Sequence, residues 1–243
     1  MAIKKTKPEL ALRLRQEEKQ WQHQGTTLLT ARLELPDTES AGAAARRFRR
    51  YYQLFSRSFF RYCQHQLLPQ AQALQQQKRG ETGIFIPAAA TLETEITLQQ
   101  DGILSLRILL TENSCGRPTQ LCRGDCWDLR RGLPLSLEDF FPTATGLRRR
   151  LLEEVRSQLR RRMEQQPNHW RPDAARRCRR FFNRENFYLS PRGLHLFYPM
   201  FALAGAGIGT PDFLVPWSEE GPRLPPQEGQ NAKKITRDKP GDL

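Results

Sequence analysis

"ATLETEITLQQDGILSLRILL", residues 90–110, decides the fold of this chain. Leu92, Thr94, Ile96 and Leu98 alternate with polar residues, and Leu104, Leu106, Ile108 and Leu110 answer after Asp101-Gly102. A period of two is the signature of a strand with one buried face. Asp-Gly joins two such runs as a tight hairpin turn, because both residues accept positive φ at small cost. The pattern therefore predicts an antiparallel hairpin. A third strand runs on to Trp127 and Leu129 and turns at Arg131-Gly132, completing a meander over 90–137.

Upstream, Leu29, Ala31, Leu33 and Leu35 alternate in "TLLTARLELP" (27–36), another strand. Residues 39–78 read as a long helix. Placed at 100° steps, Phe48, Tyr51, Tyr52, Phe55, Phe59 and Tyr62 share one arc, a stripe expected to pack on the sheet. Arg46, Arg47, Arg50, Arg57 and Arg61 fall opposite, and Pro69 is expected to kink or end the first half. Residues 1–26, polar and rich in Gln, read as a short helix or frayed leader.

Downstream, Ser136 and Asp139 form a cap for a short turn that Pro142 stops. Residues 146–165 form a helix with Leu147, Leu151, Leu152, Val155, Leu159 and Met163 as its stripe. Ala174, Cys178, Phe181 and Phe182 mark a shorter one. "ENFYLSPRGLHLFYP" (185–199) is a second hairpin, and "DFLVPW" (212–217) a last strand. These elements give an α+β fold: an antiparallel sheet packed against amphipathic helices in a single two-layer domain. That domain spans 27–217, between the leader at 1–26 and a Pro- and Gly-rich tail at 218–243 expected to be disordered.

The net charge of +13 favours an anionic contact. Between 146 and 184, thirteen arginines stand against Glu153, Glu154, Glu164 and Asp173. Five cysteines include no CxxC pair and are expected as free thiols. Cys115, Cys122 and Cys126 read either as a metal or redox site or as strand residues; the absence of a second ligand pair favours the strand. No apolar run is long enough for a signal peptide or a membrane span, so the expected place is the cytoplasm, or outside it if the true start lies upstream.

The order of parts resembles one bacterial family, the domain of unknown function 3298. It occurs in RsiV-type anti-sigma factor ectodomains and as an accessory domain of PdaC-type peptidoglycan deacetylases. The resemblance rests on "WDLRRGLPLSLEDFF" (127–141) and on the F-Y-L-x-x-x-G-L hairpin, followed by Tyr198-Pro199 and closed by Pro211-Asp212-Phe213 to Pro216. It implies an α/β sandwich and a binding or sensing module, since RsiV-type domains bind lysozyme. Gly205, Ala206 and Ile208 stand where that family usually carries proline, tyrosine and an acid.

"LAGAGIGTPDF" (203–213) therefore reads as a loop crossing a sheet edge. It follows no first strand, and no Lys-Ser/Thr succeeds it, so it is not a phosphate cradle. His23, His65, His169 and His195 are scattered, and no HExxH, GxSxG or paired-carboxylate motif appears. The expectation is a protein without catalytic, cofactor or metal residues. It would bind an unknown protein or glycan through an exposed sheet face or the basic helical surface. The alternative is weak, salt-dependent binding of nucleic acid or another polyanion by Arg46, Arg50, Arg57, Arg61, Arg149, Arg156 and Arg160.

Overall fold

The structure, a computed structural model, describes residues 10–80, 84–114 and 117–225. A six-stranded sheet runs in the order β1 (Leu12–His23), β2 (Thr26–Thr38), β3 (Ala88–Gln100), β4 (Ile103–Ser114), β5 (Arg117–Asp128) and β6 (Leu133–Pro134). All neighbours are antiparallel except β2 and β3. That parallel pair is bridged by a helical rod, α1 (Ala43–Tyr62) and α2 (Leu68–Gly80). The β3–β4 hairpin turns at Asp101 and Gly102, with φ of 54° and 75°, as its sequence requires.

The leader is the main correction. Residues 12–23 are neither helix nor frayed; they are β1, paired along the length of β2. Glu, Gln and Lys favour helices, but a ready-made partner strand outweighs that weak preference. Leu12 and Leu14 alternating with Arg13 and Arg15 are the signal that was there to be read. As an edge strand, β1 keeps its charges where they discourage pairing with other chains.

The rod lies on one face of the sheet. Phe48, Tyr52 and Phe59 are buried in this first core, and Tyr51 and Phe55 half-buried. Tyr62, expected in the stripe, is exposed, while Phe60, off the stripe, is buried. The reason is β1, which brings the Lys19 ammonium over the Phe60 ring at 4.4 Å. Pro69 does not end the rod. A π-type turn at Cys63–Leu67 widens the backbone just before it, so the missing N–H and bulky ring are absorbed.

The other face of the sheet carries a further layer, beyond the two expected. It consists of α3 (Leu147–Gln165), α4 (Ala174–Phe181) and a three-stranded sheet of β7 (Phe187–Ser190), β8 (Gly193–Phe197) and β9 (Asp212–Pro216). The expected α3 stripe, Leu147, Leu151, Leu152, Val155 and Leu159, is buried against Leu189, Leu194, Leu196 and Phe213. A bulge between Ile96 and Leu98 puts Leu98 opposite Ser105, moving it from the rod's core to this second one. Ser136 caps its turn as read: its N–H and hydroxyl both donate to Asp139, at 2.7 and 2.8 Å.

Residues 218–225, expected as tail, are tied down. The Arg223 N–H donates to the Phe140 carbonyl at 2.8 Å, and Leu224 packs on the second core. The rest of the expected tail, the first nine residues of the chain and Cys115 lie outside the described residues.

Candidate functional site: a groove along the free edge of the sheet

β5 is paired with β4 throughout, but β6 covers only Trp127 and Asp128 on its other side. The Leu129 N–H bonds to Gly102 across the β4 side, whereas the Cys126 carbonyl accepts from Leu135 on the outer side. Backbone groups of an antiparallel strand alternate in direction, so Cys122 and Gly124 also point outward. Among the described residues, nothing bonds to their outward N–H and C=O groups. This edge opens on a groove of about 1100 Å³.

The lip of the groove is apolar and open. Leu121 is 62% exposed and Phe201 46%. Phe201 also holds φ at 65°, a region that bulky residues occupy at a cost. A polar network forms the floor. Tyr52 donates its hydroxyl to Asp125 at 3.0 Å, Arg123 Nε donates to the same carboxylate at 2.7 Å, and Trp127 Nε1 donates to the Tyr52 oxygen at 2.8 Å. The Arg123 guanidinium also reaches the Tyr51 hydroxyl. Burial, and then the Asp125 charge, push the Tyr52 phenol well above its ordinary pKa, so it remains a donor. The floor is rigid and satisfied, and the lip is neither covered nor paired.

A second polar cluster escaped the sequence reading. On the face of β7–β9 turned away from α3, His195 Nδ1 lies 2.7 Å from Asp212 Oδ2, and His195 Nε2 lies 2.9 Å from Ser190 Oγ. Tyr188 donates to the same Asp212 oxygen at 2.6 Å. Serine, histidine and aspartate stand here in the order of a hydrolytic relay. Ser190 Oγ also accepts the Arg192 N–H of the hairpin turn at 3.2 Å. The imidazole is buried and stacked on Tyr188, centroids 4.6 Å apart. Burial alone would raise the Asp212 pKa; hydrogen bonds from His195 and Tyr188 outweigh it and hold the carboxyl at about 2.

The seven arginines do not form one surface. Arg46, Arg50, Arg57 and Arg61 are exposed on α1, over the first core. Arg149 and Arg160 are exposed and Arg156 half-buried on α3, over the second. The exposed sheet face is present too, a concave region of about 620 Å³ holding Glu18, Glu34, Glu93 and Glu95. Two of these acids are paired, through Arg32–Glu18 at 2.8 Å and Arg107–Glu95 at 3.3 Å, and carboxylates outnumber arginines along this face. Cys63, Cys126 and Cys178 are buried free thiols and Cys122 is half-buried. No cluster of metal-ligating side chains occurs among the described residues. The glycine-bearing loop from Gly205 bonds back to the His169 carbonyl at 2.9 Å.

The third of the chain that helps close this groove is also the part that is recognisable. Residues 138–218 match the DUF3298 family, protein of unknown function. The segment runs from the turn after β6 through β9, and so includes the quoted hairpin and its closing strand. No curated protein matches the chain. A DUF3298 family member from Bacteroides fragilis has a similar crystal structure, with a TM-score of 0.60 at 14% identity. The likeness covers 85% of this chain and 90% of that one. A DUF3298 family protein from Pseudomonas aeruginosa gives 0.57 at 14% identity, over 90% and 98%. At such identity the likeness is one of fold, and it extends well beyond the DUF3298 segment. No helix among the described residues is long and apolar enough to cross a membrane.

Proposed function

We propose that this chain is a non-catalytic binding module that takes an extended segment of a partner protein into the groove along β5. One observation carries the reading: unpaired backbone groups at Cys122 and Gly124 open onto an apolar lip made by Leu121 and Phe201. An extended peptide laid on a free strand edge gains main-chain hydrogen bonds, while alternate side chains supply specificity. The contrast with β1 supports this: that other free edge carries Arg13, Arg15, Glu17, Glu18 and Lys19, whereas the charges flanking Gly124 on β5, Arg123 and Asp125, are tied to each other at 2.7 Å. The resemblance to RsiV-type ectodomains points to a binding role as well. The Ser190–His195–Asp212 cluster serves here to hold the small sheet that walls the groove. Residence in the cytoplasm belongs to the same proposal and is checked by fractionation.

Selection of extended peptides from a random library on the purified chain tests the proposal. Enriched peptides are expected to slow hydrogen exchange at the Cys122 and Gly124 amides. Their affinity should fall by roughly tenfold or more in Leu121→Asp and Phe201→Asp. Equal binding to both variants, with no protection along β5, would remove the groove from consideration.

A further inference from the structure

A smaller cavity of about 510 Å³ lies at the start of α3, away from the groove. Arg148, Arg149 and Arg156 of α3 line it together with Arg179 of α4 and Arg184 just beyond. One carboxylate, Glu153, shares the lining. Arg184 is neutralised by Glu138 at 2.6 Å, and Arg149 stands 3.8 Å from Glu153. Arg148 gives a hydrogen bond to the Arg179 carbonyl at 3.0 Å but meets no carboxylate. Arg156 and Arg179 have no ion pair and no guanidinium hydrogen bond among the described residues. Three guanidinium charges therefore line one cavity with no carboxylate of their own, Glu153 standing nearest Arg149 at 3.8 Å.

The local backbone adds to this positive field. Gly146 precedes α3 and offers no side-chain cap, and the first turn of the helix contains no acid. Arginines at a helix N-terminus oppose the helix dipole, and Arg148 and Arg149 both stand there on the wall of the cavity. A cavity of this size suits a small molecule better than a lone ion.

We infer that the cavity between α3 and α4 binds a phosphorylated small molecule, with Arg148, Arg156 and Arg179 holding the phosphate oxygens. Guanidinium groups match such oxygens with paired, charge-assisted hydrogen bonds. The site is discrete, unlike the diffuse arginine faces, and does not depend on the peptide groove.

The test is calorimetric titration of the full chain with inorganic pyrophosphate, and with inorganic phosphate and acetate for comparison. Saturable one-to-one binding is expected, strongest for pyrophosphate and weakest for acetate. Arg156→Gln and Arg179→Gln should each weaken it by roughly tenfold or more. Arg57→Gln, on the opposite surface, should leave it unchanged. Arg179 is exposed, so its variant should keep the wild-type melting curve and report on binding alone. No saturable heat up to about 5 mM pyrophosphate, weaker than typical specific binding, would overturn the inference. So would an equal loss in Arg57→Gln, which would leave only diffuse charge attraction.

Discussion

Gly124 of β5 lies directly against the Phe187 carbonyl of β7, so close that a Cβ at position 124 would overlap that oxygen. This contact joins the two layers: the small sheet can approach the back of the large one only where β5 has no side chain. Gly124→Ala should therefore force the layers apart, destabilising the chain by about 2–3 kcal/mol in urea unfolding. Gly207→Ala, where nothing stands near, should change stability by less than about 0.5 kcal/mol. Equal effects would mean that the layers are not seated on Gly124.

Asp212 links the strands through His195 and Tyr188, and its carboxyl is held down from an ordinary 3.8 to about 2. A group whose folded pKa is depressed stabilises the fold above its unfolded pKa, and that contribution fades as pH falls through the folded value. Melting temperature should thus drop between about pH 4 and pH 2, and Asp212→Asn should flatten that part of the curve. The side chain keeps 39% exposure, so solvent screening moderates the effect. A wild-type profile unchanged by Asp212→Asn would show that the network contributes nothing.

Ser190 and His195 have relay geometry, which makes the non-catalytic reading open to direct challenge. Hydrolysis of a simple activated aryl ester should proceed at the same rate with the wild-type chain and with Ser190→Ala. A burst of one product equivalent that vanishes in the variant would establish an acyl-enzyme and reverse the proposal.

Burial raises the thiols of Cys63 and Cys126 to about 12, and those of Cys122 and Cys178 to about 11. Thiolate is the reactive form, so all four should resist iodoacetamide at pH 8 in the folded chain and react rapidly in denaturant. Peptide-resolved mass spectrometry distinguishes them. Fast modification of Cys126 under native conditions would contradict the packing of the second core.

Phe201 combines an exposed ring with positive φ. Phe201→Gly should leave stability unchanged or raise it by up to about 1 kcal/mol, because glycine occupies that region freely. Enriched groove peptides should bind this variant more weakly. A clear loss of stability would show that the ring packs as structure and does not serve as a lip.

The sequence by itself determined what depends on neighbours along the chain. The Asp101-Gly102 hairpin, the buried stripe of α3 and the Phe48–Tyr52–Phe59 face of α1 all follow from local period and turn chemistry. Only the tertiary structure decided what depends on distant partners. It made the charged segment 12–23 a strand, because β2 offered a free edge. It brought Ser190, His195 and Asp212 together from three strands, and left Cys122 and Gly124 unpaired beside Phe201. It also divided the arginines of α1 from those of α3 and gathered three of the latter with Arg179 and Arg184 around one cavity. Side-chain periodicity records which face of an element is apolar; strand pairing and layer packing, set by contacts far apart in sequence, choose what each face meets.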